Sequence, residues 1–240
     1  MKTELIDIHH HILYGVDDGP ASFEETDRML ARAYEQNTRH IIATPHYDGK
    51  TMPDQLLLTE QIEQLNAHCE KLYPGLVVHQ GGELYYRPSA IEHVRTGRIP
   101  MMADSNYLLV EFSLQIMPDA FEQAIRQVTN EGIGVIVAHS ERYDAVFGNI
   151  DRMAYFKDKY DILYQVNADT IIGKESFLFK RKLKKLIRHG MIDFIASDAH
   201  STNRRSSHLK EAYTYLLNHE GQATADALCR DNAAQYLKLM

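Results

Sequence analysis

Short runs rich in Ile, Val and Leu recur along the chain at residues 5–8, 41–44, 76–79, 107–112, 134–138, 162–166 and 192–197. Their length and β-branched content predict strands. Between them lie longer stretches whose apolar positions repeat with helical spacing, predicting helices over 20–36, 53–73, 118–131, 174–189 and 203–219. The first opens on Pro20 with Glu24 and Glu25 behind it, which suits the positive end of a helix dipole. The 181–189 stretch turns basic toward its end and is followed by Gly190, a helix stop signal. Strand and helix alternating over seven strands predict an α/β fold with a parallel sheet and outer helices. Seven units suit a closed or nearly closed barrel better than an open sheet.

The ends of these strands are polar. The first runs into His9-His10-His11, the second into Pro45-His46, and the third into Gly81-Gly82-Glu83. The fourth carries Glu111, the fifth ends in His139, and the seventh ends in Ser197-Asp198-Ala199-His200. Barrel active sites are built at the C-terminal ends of the strands, so ligand-type residues at six of seven ends point to one site. Side chains two apart on a strand share a face. His9 with His11, and Asp198 with His200, therefore make two chelating pairs, while His10 faces the other way and reads as packing.

Composition narrows the chemistry. The 240 residues are 44% hydrophobic and 25% charged, without linker or repeat, which predicts one globular domain over 1–240. A net charge of −7 argues against sequence-independent nucleic-acid binding, which needs a basic face. The N-terminus, Met1-Lys2-Thr3-Glu4-Leu5-Ile6-Asp7, has no apolar signal region, and no run approaches the ~18 apolar residues of a membrane span. A cytoplasmic protein without membrane insertion is expected. Cys69 and Cys229 are too few for a disulfide framework or a Cys-rich zinc site.

The chain has 13 histidines and no tryptophan. His9, His11, His46, His139 and His200, with Glu83, Glu111 and Asp198, give five imidazoles, three carboxylates and no thiolate. Such a set suits Mn, Fe, Zn or Co. Eight ligands exceed what one ion takes, so two or three divalent ions are expected to share the site. Three carboxylates against three divalent ions leave about +3, which attracts a phosphate dianion and acidifies a bridging water. His40, His68, His79, His93, His189, His208 and His219 fall in helices, at strand starts or in mid-strand, and have the ordinary reading of surface or hydrogen-bonded core residues.

Asp7-Ile8-His9-His10-His11, followed by Val16-Asp17-Asp18-Gly19-Pro20, resembles the polymerase-and-histidinol-phosphatase (PHP) superfamily. The resemblance is greatest to the bacterial metal-dependent tyrosine phosphatases of capsule and exopolysaccharide operons. It continues through Ala43-Thr44-Pro45-His46, Gly82-Glu83, Leu109-Val110-Glu111-Phe112, Ala138-His139-Ser140-Glu141-Arg142, Gln165-Val166-Asn167-Ala168 and Ala196-Ser197-Asp198-Ala199-His200. It thus spans nearly the whole chain in order. The resemblance implies a distorted (β/α)7 barrel of the PHP type and two or three divalent ions, manganese foremost. It implies a phosphotyrosine protein as substrate, the tail of a bacterial tyrosine kinase that controls polysaccharide synthesis.

By the same resemblance His9, His11, Glu83 and Asp198 would hold one ion, and Glu83, Glu111 and His139 a second. His46 and His200 would hold the third, with Asp17 or Asp18 nearby; the spacing to Gly19-Pro20 favours Asp18 in the family's acid position. Arg142 and Arg205 fall where the family places phosphate-binding arginines, a role that a bidentate guanidinium fork suits. Arg204 next door reads as solvated. Ser140 stands where proline is common and Asp169 where a small or hydroxyl residue is common, and both bear on substrate preference. Tyr14, Tyr47, Tyr85 and Tyr86 follow strand ends, where they would either stack on a phosphotyrosine ring or simply pack.

The expected mechanism is in-line attack by a metal-bridging hydroxide. Arg142 and Arg205 would hold the phosphoryl oxygens while Asp18 protonates the leaving phenolate. A cysteinyl-phosphate route is excluded, because Gly75 and Gln235 stand six places after Cys69 and Cys229, where Cys-x5-Arg needs arginine. The alternatives are a small-molecule phosphomonoesterase such as a histidinol phosphatase, a phosphodiesterase, and a non-catalytic binder of the kinase tail.

Overall fold

A computed structural model describes residues 3–48, 52–173 and 175–239. The first two positions of the N-terminal reading and the predicted helix start at Lys174 lie outside the described residues. The strands are β1 (Leu5–His10), β2 (Thr38–Ala43), β3 (His46–Tyr47), β4 (Val77–Gln80), β5 (Glu83–Tyr85), β6 (Tyr107–Glu111), β7 (Gly134–Val137), β8 (Leu163–Asn167) and β9 (Phe194–Ala196). The second and third predicted strands are each broken in two. Thr44-Pro45 separates β2 from β3, and Gly81-Gly82 separates β4 from β5. Both glycines are needed for closeness: a Cβ on Gly81 would lie 2.5 Å from Ile42, and one on Gly82 would lie 2.7 Å from the Tyr47 ring.

All pairings are parallel. β4, β2 and β1 form one sheet, and β3, β5, β6, β7, β8 and β9 form a second. The broken strands run from one sheet into the other. At the far side, β1 meets the end of β9 through a single bridge, His10 to Ala199. The Asp198 amide donates to the His9 carbonyl at 2.8 Å, and the His11 amide to the Ala199 carbonyl at 2.9 Å. The seven predicted units thus follow one another round a distorted barrel whose last joint is a seam rather than a ladder.

The helices are α1 (Phe23–Glu35), α2 (Gln55–Leu72), α3 (Ile91–Arg95), α4 (Pro118–Thr129), α5 (Ile150–Tyr160), α6 (Ala168–Ile172), α7 (Phe177–Arg188), α8 (Leu209–Glu220), α9 (Gln222–Asp226) and α10 (Asn232–Leu237). α1 starts at Ser22, whose hydroxyl accepts the Glu25 amide, not at Pro20. The predicted 203–219 helix begins only at Leu209. Before it, the His200 and Ser201 amides both donate to the Arg205 carbonyl and fold the segment into a loop. Its small polar residues prefer such local bonds. α5 escapes the periodicity because only Met153 and Phe156 of its eleven residues are buried.

Two apolar layers follow the strand alternation. Ile41, Val110, Val137 and Val166 face outward to the helices. Ile6, Ile8, Ile42, Leu109, Ile136 and Phe194 fill the interior. α10 closes the N-terminal end of the barrel, where the Tyr236 ring meets those of Tyr107 and Phe194 edge-on, at 5.9 and 6.1 Å. The other end is left to polar residues.

Candidate metal centre

Alternation alone would turn His9 outward, since Ile6 and Ile8 already face the interior. A bulge corrects this. Asp7 pairs with Ile41 but His10 pairs with Ala43, so β1 spends three residues where β2 spends two. The extra residue brings His9, and with it His11, to the interior above Ile8, a common use of bulges beside functional sites. His139 and Asp198 are also placed by unusual backbone, with φ of 31° and 54°. Left-handed φ outside glycine is strain that functional sites retain.

The eight residues cluster at the barrel mouth, and four of the histidines close on Glu83, which is fully buried. Its Oε2 lies 3.2 Å from His9 Nε2, 3.3 Å from His11 Nε2 and 3.1 Å from His46 Nδ1. Its Oε1 lies 3.0 Å from His139 Nε2. Asp198 Oδ1 is 3.4 Å from His9 Nε2 and 3.7 Å from His11 Nε2. Glu111 stands 3.5 Å from both His46 and His139. Across the mouth, Asp18 Oδ1 is 3.1 Å from His200 Nε2 and 3.4 Å from His46 Nε2.

Among the described residues, three groups therefore have ligand atoms close enough to share an ion: His9, His11 and Glu83; His46, Glu83 and Glu111; and His11, Asp18, His46 and His200. His139 and Asp198 flank the first two. His46 stands between the second and third groups, where the family pattern gave it only to the third.

Asp17 and Asp18 separate cleanly. Asp17 Oδ2 accepts His11 Nδ1 at 2.7 Å and the His46 amide at 3.1 Å, while its Oδ1 accepts the Gly19 amide at 2.9 Å. Both its oxygens are spent orienting neighbours. Asp18 is 60% exposed at the mouth and faces His46, His200 and Arg205.

The donor set fits cations. His9 Nδ1 lies 3.2 Å from Gln165 Oε1, His11 Nδ1 bonds Asp17, and His200 Nδ1 lies 3.0 Å from the Asp198 carbonyl. Each acceptor fixes the proton on Nδ1 and leaves the Nε2 lone pair aimed inward. Glu83 Oε2 and His200 Nε2 are buried yet have no hydrogen-bond partner. Carboxylate oxygens and imidazole nitrogens facing one another at this density need a proton or a cation between them, and a metal ion satisfies several at once.

The same attraction shows in the pKa directions of the bare protein. Burial works against charge on His11, yet Asp17 and Glu83 lift it to about 9. Burial likewise opposes the charge on His46, which Glu83 and Glu111 lift to about 9. His9 and His139 are also raised against burial, by Glu83 and Asp198 and by Glu111 and Glu83. Burial would raise Glu83, but the surrounding imidazoles hold it well below the carboxylate range. Burial raises Asp17 too, yet His11 brings it to about 2. His200 falls to about 3 through burial and the charge of His11. His9, His11, His46 and His139 draw in protons for the same reason they would draw in a divalent ion.

Several supporting residues were not among the expected site residues, although Gln165 and Asn167 lie in one of the motifs that carry the resemblance. Gln165 holds both His9 Nδ1 and the His139 amide, at 3.2 and 2.6 Å, and its Nε2 donates to Asn167. Asn167 Nδ2 donates to Asp198 at 2.8 Å. The Tyr143 hydroxyl accepts the Phe112 amide and lies 3.2 Å from His139 Nδ1. The available signal was alternation: Gln165 and Asn167 are polar at two successive inward positions of an apolar strand.

Arg142 and Arg205, each 40% exposed, grip Asp198 from the mouth at 2.9 Å, and Arg205 also reaches Asp18 at 3.2 Å. A cleft of about 470 Å³ opens beside Arg205, Asp18 and His200, and one of about 480 Å³ beside His46, Glu111, Tyr85 and Arg87. Tyr85 lines the second of these clefts, with Arg87 stacked 5.1 Å from its ring. Tyr47 is buried and bonds Gln55, Tyr14 bonds Gln64, and Tyr86 bonds Gln127. Asp169 pairs with His208 at 2.5 Å, and Ser140 is buried. Cys69 and Cys229 are buried thiols, and burial pushes Cys69 up to about 11, so neither is a nucleophile.

The sequence matches the family described as "Capsular polysaccharide synthesis, CpsB/CapC" over residues 5–238. The chain belongs to the CpsB/CapC family. It is 30% identical to tyrosine-protein phosphatase CpsB of Streptococcus pneumoniae over 233 residues, 95% of this chain and 96% of that protein. It is 28% identical to tyrosine-protein phosphatase YwqE of Bacillus subtilis, over 98% of this chain and 92% of that protein. A chain from the crystal structures of YwqE and CpsB, described as unique metal-dependent tyrosine phosphatases, superposes with a TM-score of 0.84 at 27% identity. That alignment covers 98% of this chain and 94% of the other. The histidinol phosphate phosphatase of Lactococcus lactis, at TM-score 0.58 and 12% identity over 91% of this chain and 94% of that one, shares the fold alone.

Proposed function

We propose that this chain is one metal-dependent protein-tyrosine phosphatase domain, removing phosphate from phosphotyrosine on a kinase that controls capsule or exopolysaccharide synthesis, in the cytoplasm. The observation that carries the reading is Glu83: a buried carboxylate ringed by four imidazole nitrogens at 3.0–3.3 Å, with two arginines at the mouth. In this reading two or three divalent ions, manganese foremost, would be held by His9, His11, Glu83 and Asp198, by Glu83, Glu111 and His139, and by His46 and His200, with Asp18 nearby but left free for the leaving group. Such ions supply Lewis acidity toward phosphoryl oxygens and an acidified water.

The chain's own groups do the rest. Arg142 and Arg205 are anchored on a buried aspartate with their remaining N–H donors toward solvent, and they bind the non-bridging phosphoryl oxygens. Asp18, exposed and beside Arg205, holds the proton that the leaving phenolate takes. Asp17 cannot serve, because both its oxygens are engaged. A phenol, of pKa about 10, leaves more easily than an alkoxide, so aryl phosphates rank above alkyl ones. Tyr85 and Val16 give the cleft beside His46 an apolar wall for the ring.

The test is hydrolysis of phosphotyrosine peptide, phosphoserine peptide and histidinol phosphate by metal-loaded protein, with elemental analysis of the protein as isolated. Turnover of the phosphotyrosine peptide well above the other two is expected. Equal or faster turnover of histidinol phosphate would transfer the reading to a small-molecule phosphatase.

A further inference from the structure

The outer surface holds a second concentration of charge, of opposite sign to the chain's net −7. α7 reads FLFKRKLKKLIR: Lys180, Arg181, Lys182, Lys184, Lys185 and Arg188 with no carboxylate among them. Leu183 and Leu186 seat the helix on the barrel. Three of the cations are occupied. Lys184 and Arg188 pair with Glu220 at 3.3 and 2.8 Å, and Lys182 lies 5.2 Å from the centre of the Phe147 ring. Lys180, Arg181 and Lys185 have no carboxylate partner among the described residues. Arg181 and Lys185 are exposed one turn apart, on the face that also carries Leu178.

The first turn adds a second, independent observation. Phe177 and Leu178 are 78% and 74% exposed, more than any other large apolar residue among those described. In a β/α barrel the helices run back against the strands, so this turn lies at the catalytic end. The chain agrees: α6, which leads to it, begins directly after Asn167, the residue that bonds Asp198.

We infer that the first turn and outer face of α7 are a docking surface for an anionic membrane surface. Bulky apolar side chains beside long-stemmed cations match the headgroup boundary, where the former enter the acyl edge and the latter meet phosphates. An acidic protein segment would use Lys180, Arg181 and Lys185 but leave Phe177 and Leu178 in water. The contact is peripheral, in keeping with the absence of any membrane-crossing helix among the described residues. It turns the barrel mouth toward the bilayer and favours substrates carried near it. The inference stands on α7 alone and does not depend on the reaction.

The test is co-sedimentation of the whole protein with vesicles of phosphatidylglycerol and phosphatidylcholine, against phosphatidylcholine alone, at low and high salt. Binding only to the anionic vesicles, weakened by salt, is expected. Each neutralised cation should cost about fivefold in partitioning, so R181E/K185E should lose more than about tenfold, and F177A/L178A a comparable amount. Circular dichroism and unchanged hydrolysis of a soluble aryl phosphate certify that these variants are folded. No binding to anionic vesicles at low salt would overturn the inference, as would binding that both double variants retain. Capture by polyglutamate without binding to vesicles would overturn it in favour of an acidic protein partner.

Discussion

Two groups of histidines share one barrel and behave in opposite ways. At the mouth, His9, His11, His46 and His139 surround Glu83 and are raised against their burial. Toward the other end of the first sheet, His40 and His79 sit side by side on β2 and β4, with Nδ1 and Nε2 2.9 Å apart. No carboxylate lies between them, and burial brings His79 down to about 4 and lowers His40 as well. The residue type is the same and so is the barrel. What differs is the company of carboxylates, Glu83 at the centre with Asp17, Glu111 and Asp198 beside it, which makes an imidazole cluster a cation receptor instead of a neutral packing pair.

The sharpest way to break the contrast is Glu83→Gln. It keeps the shape and removes the charge, so bound metal measured by elemental analysis should fall to near background. Phosphotyrosine hydrolysis should drop by more than about 100-fold, the upper range for loss of even an outer partner of a metal ligand. Retained metal with retained turnover would return Glu83 to packing.

Arg142→Ala and Arg205→Ala should each lower kcat by about 100- to 1000-fold, as loss of a donor to developing charge does. Metal content should stay level, and lysine should restore only part of the rate, since it lacks the planar fork. Asp17→Asn and Gln165→Ala test the orientation of His11 and His9. Each should weaken metal affinity about 10- to 100-fold in a chelator competition, with kcat at saturating metal far less affected.

The smallest effect belongs to the other pair. His79 has a folded pKa of about 4 against an ordinary 6.5. Between those values the unfolded chain binds a proton that the fold refuses, so stability falls as pH drops through that window and is fully regained above it. Urea midpoints at pH 5 and pH 7.5 should therefore differ, and His79→Gln should narrow the gap while leaving hydrolysis unchanged. A gap of the same size in the variant would remove His79 as its cause.

Strand ends were the legible part of this chain. Because a barrel gathers its C-terminal strand ends, polar residues at those positions could be assigned to one site without coordinates, and the ordering of motifs did the same for the family. Three things were not legible. The bulge in β1 leaves no mark on composition, yet without it His9 would point at the helices. That Asp17 has both oxygens engaged while Asp18 stands exposed at the mouth is a matter of loop geometry. Arg205 was expected inside a helix because residues 203–219 have helical spacing, but local hydrogen bonds around Ser201 hold its segment as a loop and carry the guanidinium to the mouth.

The seam between β9 and β1 has one bridge where every other joint of the barrel has a ladder. His9 and His11 stand on one lip of it, and Asp198 and His200 on the other. An ion gripped from both lips would act as a clasp, joining the two ends of the chain's strand order at the place where backbone bonding is thinnest. Loading and closure then become one event: the atoms that make the protein reactive would also be the ones that finish building it.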